Sequence, residues 1–110
     1  RAIVVSTTDA SALRDAQRVV SQLSRQLPSI HLVVNRVQPK LLRRLHTTID
    51  DAMDAAGLPL LGVVPEDEQV MLSANQGKPI ILASRKGAAV AYLNIARRLM
   101  GERVPLMHIR

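Results

Sequence analysis

Three short stretches of this chain carry side chains whose types and positions suit ligand chemistry. Asn35-Arg36 ends the apolar run IHLVVNRV, Pro65-Glu66-Asp67 ends LPLLGVVP, and Ser6-Thr7-Thr8 ends AIVVS. If these runs are parallel strands, all three clusters lie at carboxyl ends and share one rim, where open α/β sheets hold their ligands. An Asn side chain offers a donor and an acceptor side by side, which matches the exocyclic amine and ring nitrogen of adenine. An Arg guanidinium can stack on a planar base. Each cluster also has a structural reading. Asn35 suits a strand-end turn, Glu66-Asp67 the cap of a following helix, and Ser6 to Thr8 a turn leading into an Asp9 or Ser11 cap. Spacing alone leaves both readings open.

Other chemistries find no residues to carry them. There is no cysteine, which excludes disulfides, thiolate zinc sites and a cysteine nucleophile. Neither G-x-x-x-x-G-K-[ST] nor G-x-G-x-x-G occurs, so no glycine-rich loop cradles phosphates and no P-loop lysine is present. The five glycines stand singly. Gly57, Gly77 and Gly101 read as helix ends, and Gly87 as a tight helix entry or a place where an anion approaches. His31 opens a strand, His46 falls within a helix, and His108 is near the end of the chain. None stands at a metal-ligand spacing, so no metal site and no catalytic residue is assigned.

The elements that must position the rim follow from hydrophobic patterning. Ala2 to Ser6, Ile30 to Val37 and Leu58 to Pro65 are continuous apolar runs without clean alternation, as strands covered on both faces require. Between them, Ser11 to Leu27 places Leu13, Ala16, Val19, Val20, Leu23 and Leu27 at three- and four-residue steps, predicting a helix followed by Pro28. Leu41 to Ala56 is a second predicted helix, stopped by Gly57. Glu68 to Asn75 is a shorter one, and Lys86 to Met100 another. Ile80-Ile81-Leu82 is expected as a last short strand. The order β-α-β-α-β-α-(β)-α predicts a three-layer α/β fold with a parallel sheet and helices on both faces.

The 110 residues suit one domain, and a 47 % hydrophobic fraction suffices for a core. Tyr92 is the one aromatic residue, so the core is aliphatic and a stacking surface for single-stranded nucleic acid is not expected. The formal charge of +6 is scattered rather than blocked; it reads as a solvated surface, with attraction to anionic lipid, nucleic acid or nucleotide as the functional alternative. No apolar run approaches the ~20 residues of a membrane span. The absence of Cys fits a cytoplasmic protein. The chain opens without Met, inside a strand-like run as apolar as a central strand. A single domain fragment, 1–110, is therefore expected, with the edge of Ile3 to Val5 abutting a strand of a missing part.

Several stretches resemble the MinD-type septum site-determining ATPases of the deviant-Walker P-loop family. They are TTDASALRDAQRVV (Thr7 to Val20), HLVVNRVQP (His31 to Pro39), LLGVVPEDEQVMLSANQGKPII (Leu60 to Ile81) and Gly101-Glu102-Arg103-Val104-Pro105. The most specific is the Gly-Val-x-Pro-Glu-Asp core with its trailing Asn-Gln-Gly-x-Pro. The likeness runs in order over nearly the whole chain and implies the C-terminal half of a P-loop NTPase fold.

By that resemblance, Asn35 is the adenine-recognition residue, Arg36 its neighbour at the rim, and Pro65, Glu66 and Asp67 the loop that closes on adenine. Ser11, Arg14 and Asp15 match the helix face used for MinC- and MinE-type regulators; where the family has a second acid, this chain has Gln17. The family binds ATP or ADP with Mg, forms an ATP-dependent homodimer and reaches the inner face of the membrane through an amphipathic C-terminal tail. The P-loop, switches and magnesium ligands belong to an N-terminal half that this chain lacks, so tight nucleotide binding is not expected of it alone. Its last residues, His108-Ile109-Arg110, bear no Lys-rich amphipathic helix. The alternatives are a ParA-like partition ATPase fragment that binds DNA non-specifically and a small non-enzymatic α/β interaction module.

Overall fold

A computed structural model describes residues 1–106; His108 and the chain's last three residues, read above from the sequence, lie outside these. Three strands form one parallel sheet in the order β1-β2-β3, with β1 Ala2–Ser6, β2 Ile30–Val37 and β3 Leu60–Pro65. All three carboxyl ends therefore lie on one rim. The helices are α1 Ala10–Leu23, α2 Pro39–Arg44, α3 Ile49–Ala56, α4 Glu68–Asn75, α5 Ile80–Ala83 and α6 Ala88–Leu99. The predicted architecture of helices on both faces of a parallel sheet is the one observed.

The continuous apolar runs are explained by two cores. On one face Leu13 of α1 and Ala52 and Ala56 of α3 pack with Leu32, Val34 and Val63. On the other, Ala88 and Ala91 of α6 pack with Val33, Leu61 and Val64. Successive residues Leu32, Val33 and Val34 are thus all buried, because each face of β2 is covered. Gly62 lets α6 approach: a Cβ there would collide with Ile95 Cγ1. Coverage fails at β1, where Ile3 and Val5 remain 41 % and 61 % exposed. They share the face of Val33, with Val5 paired to it in register, but α6 lies over β3 instead.

Several expectations are corrected. The predicted single helix Leu41 to Ala56 is two helices, α2 and α3, and His46 lies in the turn between them at φ 53 rather than within a helix. Thr48 and Asp51 form a reciprocal capping box that starts α3 afresh, with Thr48 N donating to Asp51 Oδ2 at 2.9 Å and Asp51 N to Thr48 Oγ1 at 3.1 Å. Ile80-Ile81-Leu82 is not a strand but most of α5, a single turn closed by Ser84 N donating to Ile80 O at 3.0 Å. Three apolar residues are too few for periodicity to separate strand from helix, and Pro79 pre-sets the φ of a turn start. Finally, α1 ends at Leu23 rather than Leu27, and α6 begins at Ala88 rather than Lys86.

Candidate functional site

The rim is shaped by a bulge. Val34 pairs with Val63 and Val37 with Pro65, so Asn35 and Arg36 on β2 stand against Val64 alone on β3. One extra residue must be accommodated, and Arg36 does so with a left-handed backbone at φ 54. For a non-glycine residue that conformation costs about 1–2 kcal/mol. The bulge re-aims both side chains. Arg36 Nη2 reaches Glu66 Oε1 at 3.2 Å across the strands, while Glu66 N donates to Val37 O at 2.9 Å. Asn35 is partly buried, and its amide makes no hydrogen bond among the described residues.

Asn35, Arg36, Pro65, Glu66 and Asp67 all line one cleft of about 480 Å³, closed on the far side by Val70, Met71 and Ala74 of α4 and Tyr92 of α6. That volume falls within the range of small-molecule sites, and an apolar wall with few polar groups is their usual composition. The sequence-predicted rim residues are therefore together. The wall residues are absent from the sequence-predicted site. Since α4 begins directly after Asp67, residues at its first turns had to overhang the rim; Tyr92 arrives from 25 positions further on, and no spacing announced it.

Asp67 is more constrained than expected. Its Oδ1 accepts from Gln69 N at 2.9 Å, capping α4, and its Oδ2 accepts from Ala88 N at 3.0 Å at the start of α6. The helix-cap reading is thus observed, and doubled. Gly87, at φ 61, sits against this carboxylate, so its role is a tight helix entry.

The remaining candidates lie elsewhere. Ser11, Arg14 and Asp15 are exposed on α1, with Asp15 Oδ1 3.9 Å from Arg18 Nη1. Arg14 borders a separate groove of about 770 Å³ between α1 and α3. Ser6 is the buried last residue of β1 and Thr7 follows it: Ser6 Oγ donates to Thr7 O at 2.8 Å, and Thr7 Oγ1 to the Asp9 carboxylate. Asp9, not Ser11, caps α1. The Thr7 hydroxyl, and then the Ala12 amide, hold the Asp9 carboxyl below its usual range. Among the described residues no group of three or more His, Asp or Glu is placed to hold a metal ion.

A larger hollow, about 660 Å³, opens at the opposite, amino ends of β2 and β3 beside His31 and Arg98. Arg98 is already occupied there, donating to Leu60 O at 3.3 Å and Val104 O at 3.2 Å. The carboxyl-end cleft, with an amide unpartnered among the described residues, is the better candidate.

No family model matches the chain. It is 40 % identical over 109 residues to the septum site-determining protein MinD of Bacillus subtilis, an alignment covering 96 % of this chain and 41 % of that protein. Its structure matches that of a chain from the MinC:MinD cell division protein complex of Aquifex aeolicus with TM-score 0.90 and 32 % identity, over 98 % of this chain and 46 % of that one. The septum site-determining protein MinD of Pyrococcus horikoshii, complexed with Mg-ADP, matches with TM-score 0.76 and 25 % identity, over 88 % of this chain and 40 % of that one. The chain spans less than half the length of the relatives it matches.

Proposed function

Because the chain is homologous along nearly its whole length to part of the MinD-type septum site-determining proteins, we propose that it is the base-binding and regulator-binding half of a MinD-like nucleotide switch in division-site placement. In this reading Asn35 meets the adenine edge of ATP or ADP. Arg36 flanks it, and Pro65, Glu66 and Asp67 border the base largely through backbone atoms, since the Asp67 carboxylate is taken up by two helix starts. The observation that carries the reading is the Asn35 amide, unpartnered among the described residues, in a cleft of suitable volume at the carboxyl ends of β2 and β3. A free donor–acceptor pair beside apolar walls fits an adenine edge and face.

Phosphates and Mg would be held by an N-terminal half supplying the P-loop and the acidic ligands; the described residues hold no such acidic cluster. Magnesium would supply charge neutralisation at the phosphates when bound. The relative complexed with Mg-ADP supports the cofactor class. The Aquifex complex supports a MinC-type partner, which the exposed Ser11, Arg14 and Asp15 would meet; a MinE-type regulator and an ATP-dependent homodimer belong to the same proposal. No helix among the described residues is long and apolar enough to cross a membrane. Any contact with the inner membrane face would be peripheral, through a tail. The exposed edge of β1, with Ile3 and Val5 uncovered, suits a neighbouring strand and helix from the N-terminal half. The partition-ATPase and interaction-module alternatives are not favoured, since the relatives of this length and identity are MinD proteins.

The reading frame upstream of Arg1 tests this. A Lys-Gly-Gly-x-x-x-Lys-[Ser/Thr] loop within the preceding ~150 residues, about one domain's length, is expected. A start codon at residue 1 with no such loop would leave a sheet unit without phosphate chemistry and refute the switch.

A further inference from the structure

Asp67 does something that neither a helix cap nor a ligand group requires. One carboxylate accepts from Gln69 N at 2.9 Å and from Ala88 N, 21 positions from Asp67, at 3.0 Å, so it joins the first turns of α4 and α6. These two helices form the apolar wall of the rim cleft, with Val70, Met71 and Ala74 from α4 and Tyr92 from α6. Both amides belong to helix starts that would otherwise lack acceptors. A carboxylate serves them because it has two acceptor oxygens, which Asn and Ser do not. Gly87 is what admits it: a Cβ at 87 would collide with Asp67 Oδ2, and its φ of 61 already disfavours a side chain.

We infer that Asp67 is a positioning residue whose carboxylate pins the α6 start to the loop after β3 and thereby fixes the wall of the cleft, with Gly87 as its obligatory neighbour. As regards nucleotide, this rests on the reading of the cleft as an adenine site. The pinning itself does not. Loop movement at residues 65–67 is transmitted through Asp67 to α6 and to Tyr92. The link to α6 is the bond from Ala88 N, made beside the packing of Val70 against the cluster that holds Ala88 and Ala91.

The test compares the chain with Asp67→Asn, Asp67→Ser and Asn35→Ala, using amide exchange, Tyr92 quenching by acrylamide, and titration with ADP followed by amide resonances. Tyr92 is the sole fluorophore, so its signal reports on the wall directly. Asp67→Asn nearly preserves shape but keeps one acceptor, so either the Gln69 or the Ala88 amide should exchange about tenfold faster while the rest of the fold stays protected. Asp67→Ser retains an α4 cap but is too short for α6, so the Ala88 amide alone should lose protection and Tyr92 should quench more readily. ADP affinity should fall roughly fivefold in Asp67→Ser, the scale of one anchoring hydrogen bond.

Unchanged Ala88 exchange in both variants would overturn the inference. So would weaker ADP binding with Ala88 still protected, which would make Asp67 a direct ligand contact. Lost Ala88 protection with full ADP affinity, where Asn35→Ala does weaken binding, would also overturn it. If ADP perturbs neither the chain nor Asn35→Ala, the adenine reading fails, and the pinning is then decided by exchange and quenching alone.

Discussion

Arg36 and Glu66 meet across β2 and β3, Nη2 to Oε1 at 3.2 Å, with Arg36 held in a left-handed backbone at φ 54. The pair stands at the mouth of the cleft. Both side chains are well exposed, 67 % and 41 %, so the interaction is worth less than about 1 kcal/mol and does not offset the bulge by itself. Local strain of this kind persists where surrounding packing over-determines the backbone, and it clusters at functional sites.

That balance predicts the outcome of Arg36→Gly. Relief of the left-handed conformation should contribute about 1 kcal/mol, and loss of the exposed pair should remove less. Urea denaturation should therefore show unchanged or slightly raised stability. Glu66→Gln, which removes only the pair, should cost under about 1 kcal/mol. A loss of more than about 2 kcal/mol in Arg36→Gly would mean that the guanidinium carries packing beyond this pair.

Gly62 is a packing requirement rather than a flexible point. Gly62→Ala should destabilise by about 1–3 kcal/mol, because the new methyl enters the space of Ile95 Cγ1. Shortening the clashing side chain with Ile95→Val in the same chain should recover part of the loss. Equal midpoints for Gly62→Ala and the parent would show that α6 does not lie on β3 as described.

Asp9 gives a pH signature. Its folded pKa lies below the ordinary value because Thr7 and the Ala12 amide favour the charged form. The sign follows from linkage: the contribution is full above the unfolded pKa and is lost as pH falls through the lower folded value. The stability difference between the parent and Asp9→Ala should be constant near neutrality and shrink below about pH 4. A difference that grows on acidification would contradict this assignment.

The sheet, its parallel sense and the shared rim were legible because runs such as LVV in β2 are buried on both faces, and few other structures bury consecutive residues so. Asn35 and Pro65 to Asp67 were legible because strand ends follow from strand runs. Two boundaries were not. The break at His46 depends on the Thr48–Asp51 capping box, a signal present in the sequence but outweighed by the apolar spacing on either side. The turn at Ile80–Ala83 depends on Pro79 and on where α6 begins, which is tertiary information. The tie from Asp67 to Ala88 spans 21 residues and leaves no periodic trace.

The central claim is that Asn35 reads an adenine edge. It is tested most directly by titrating the isotopically labelled chain with ADP and following the Asn35 side-chain amide. With most phosphate contacts lacking, binding in the millimolar range, about 4 kcal/mol, is expected. The account predicts that the Asn35 side-chain resonances and the backbone amides of Glu66 and Asp67 shift together, that GDP shifts them less, and that Asn35→Ala abolishes the response. An Asn35 amide indifferent to ADP, or an Asn35→Ala chain that binds ADP as the parent does, would contradict it.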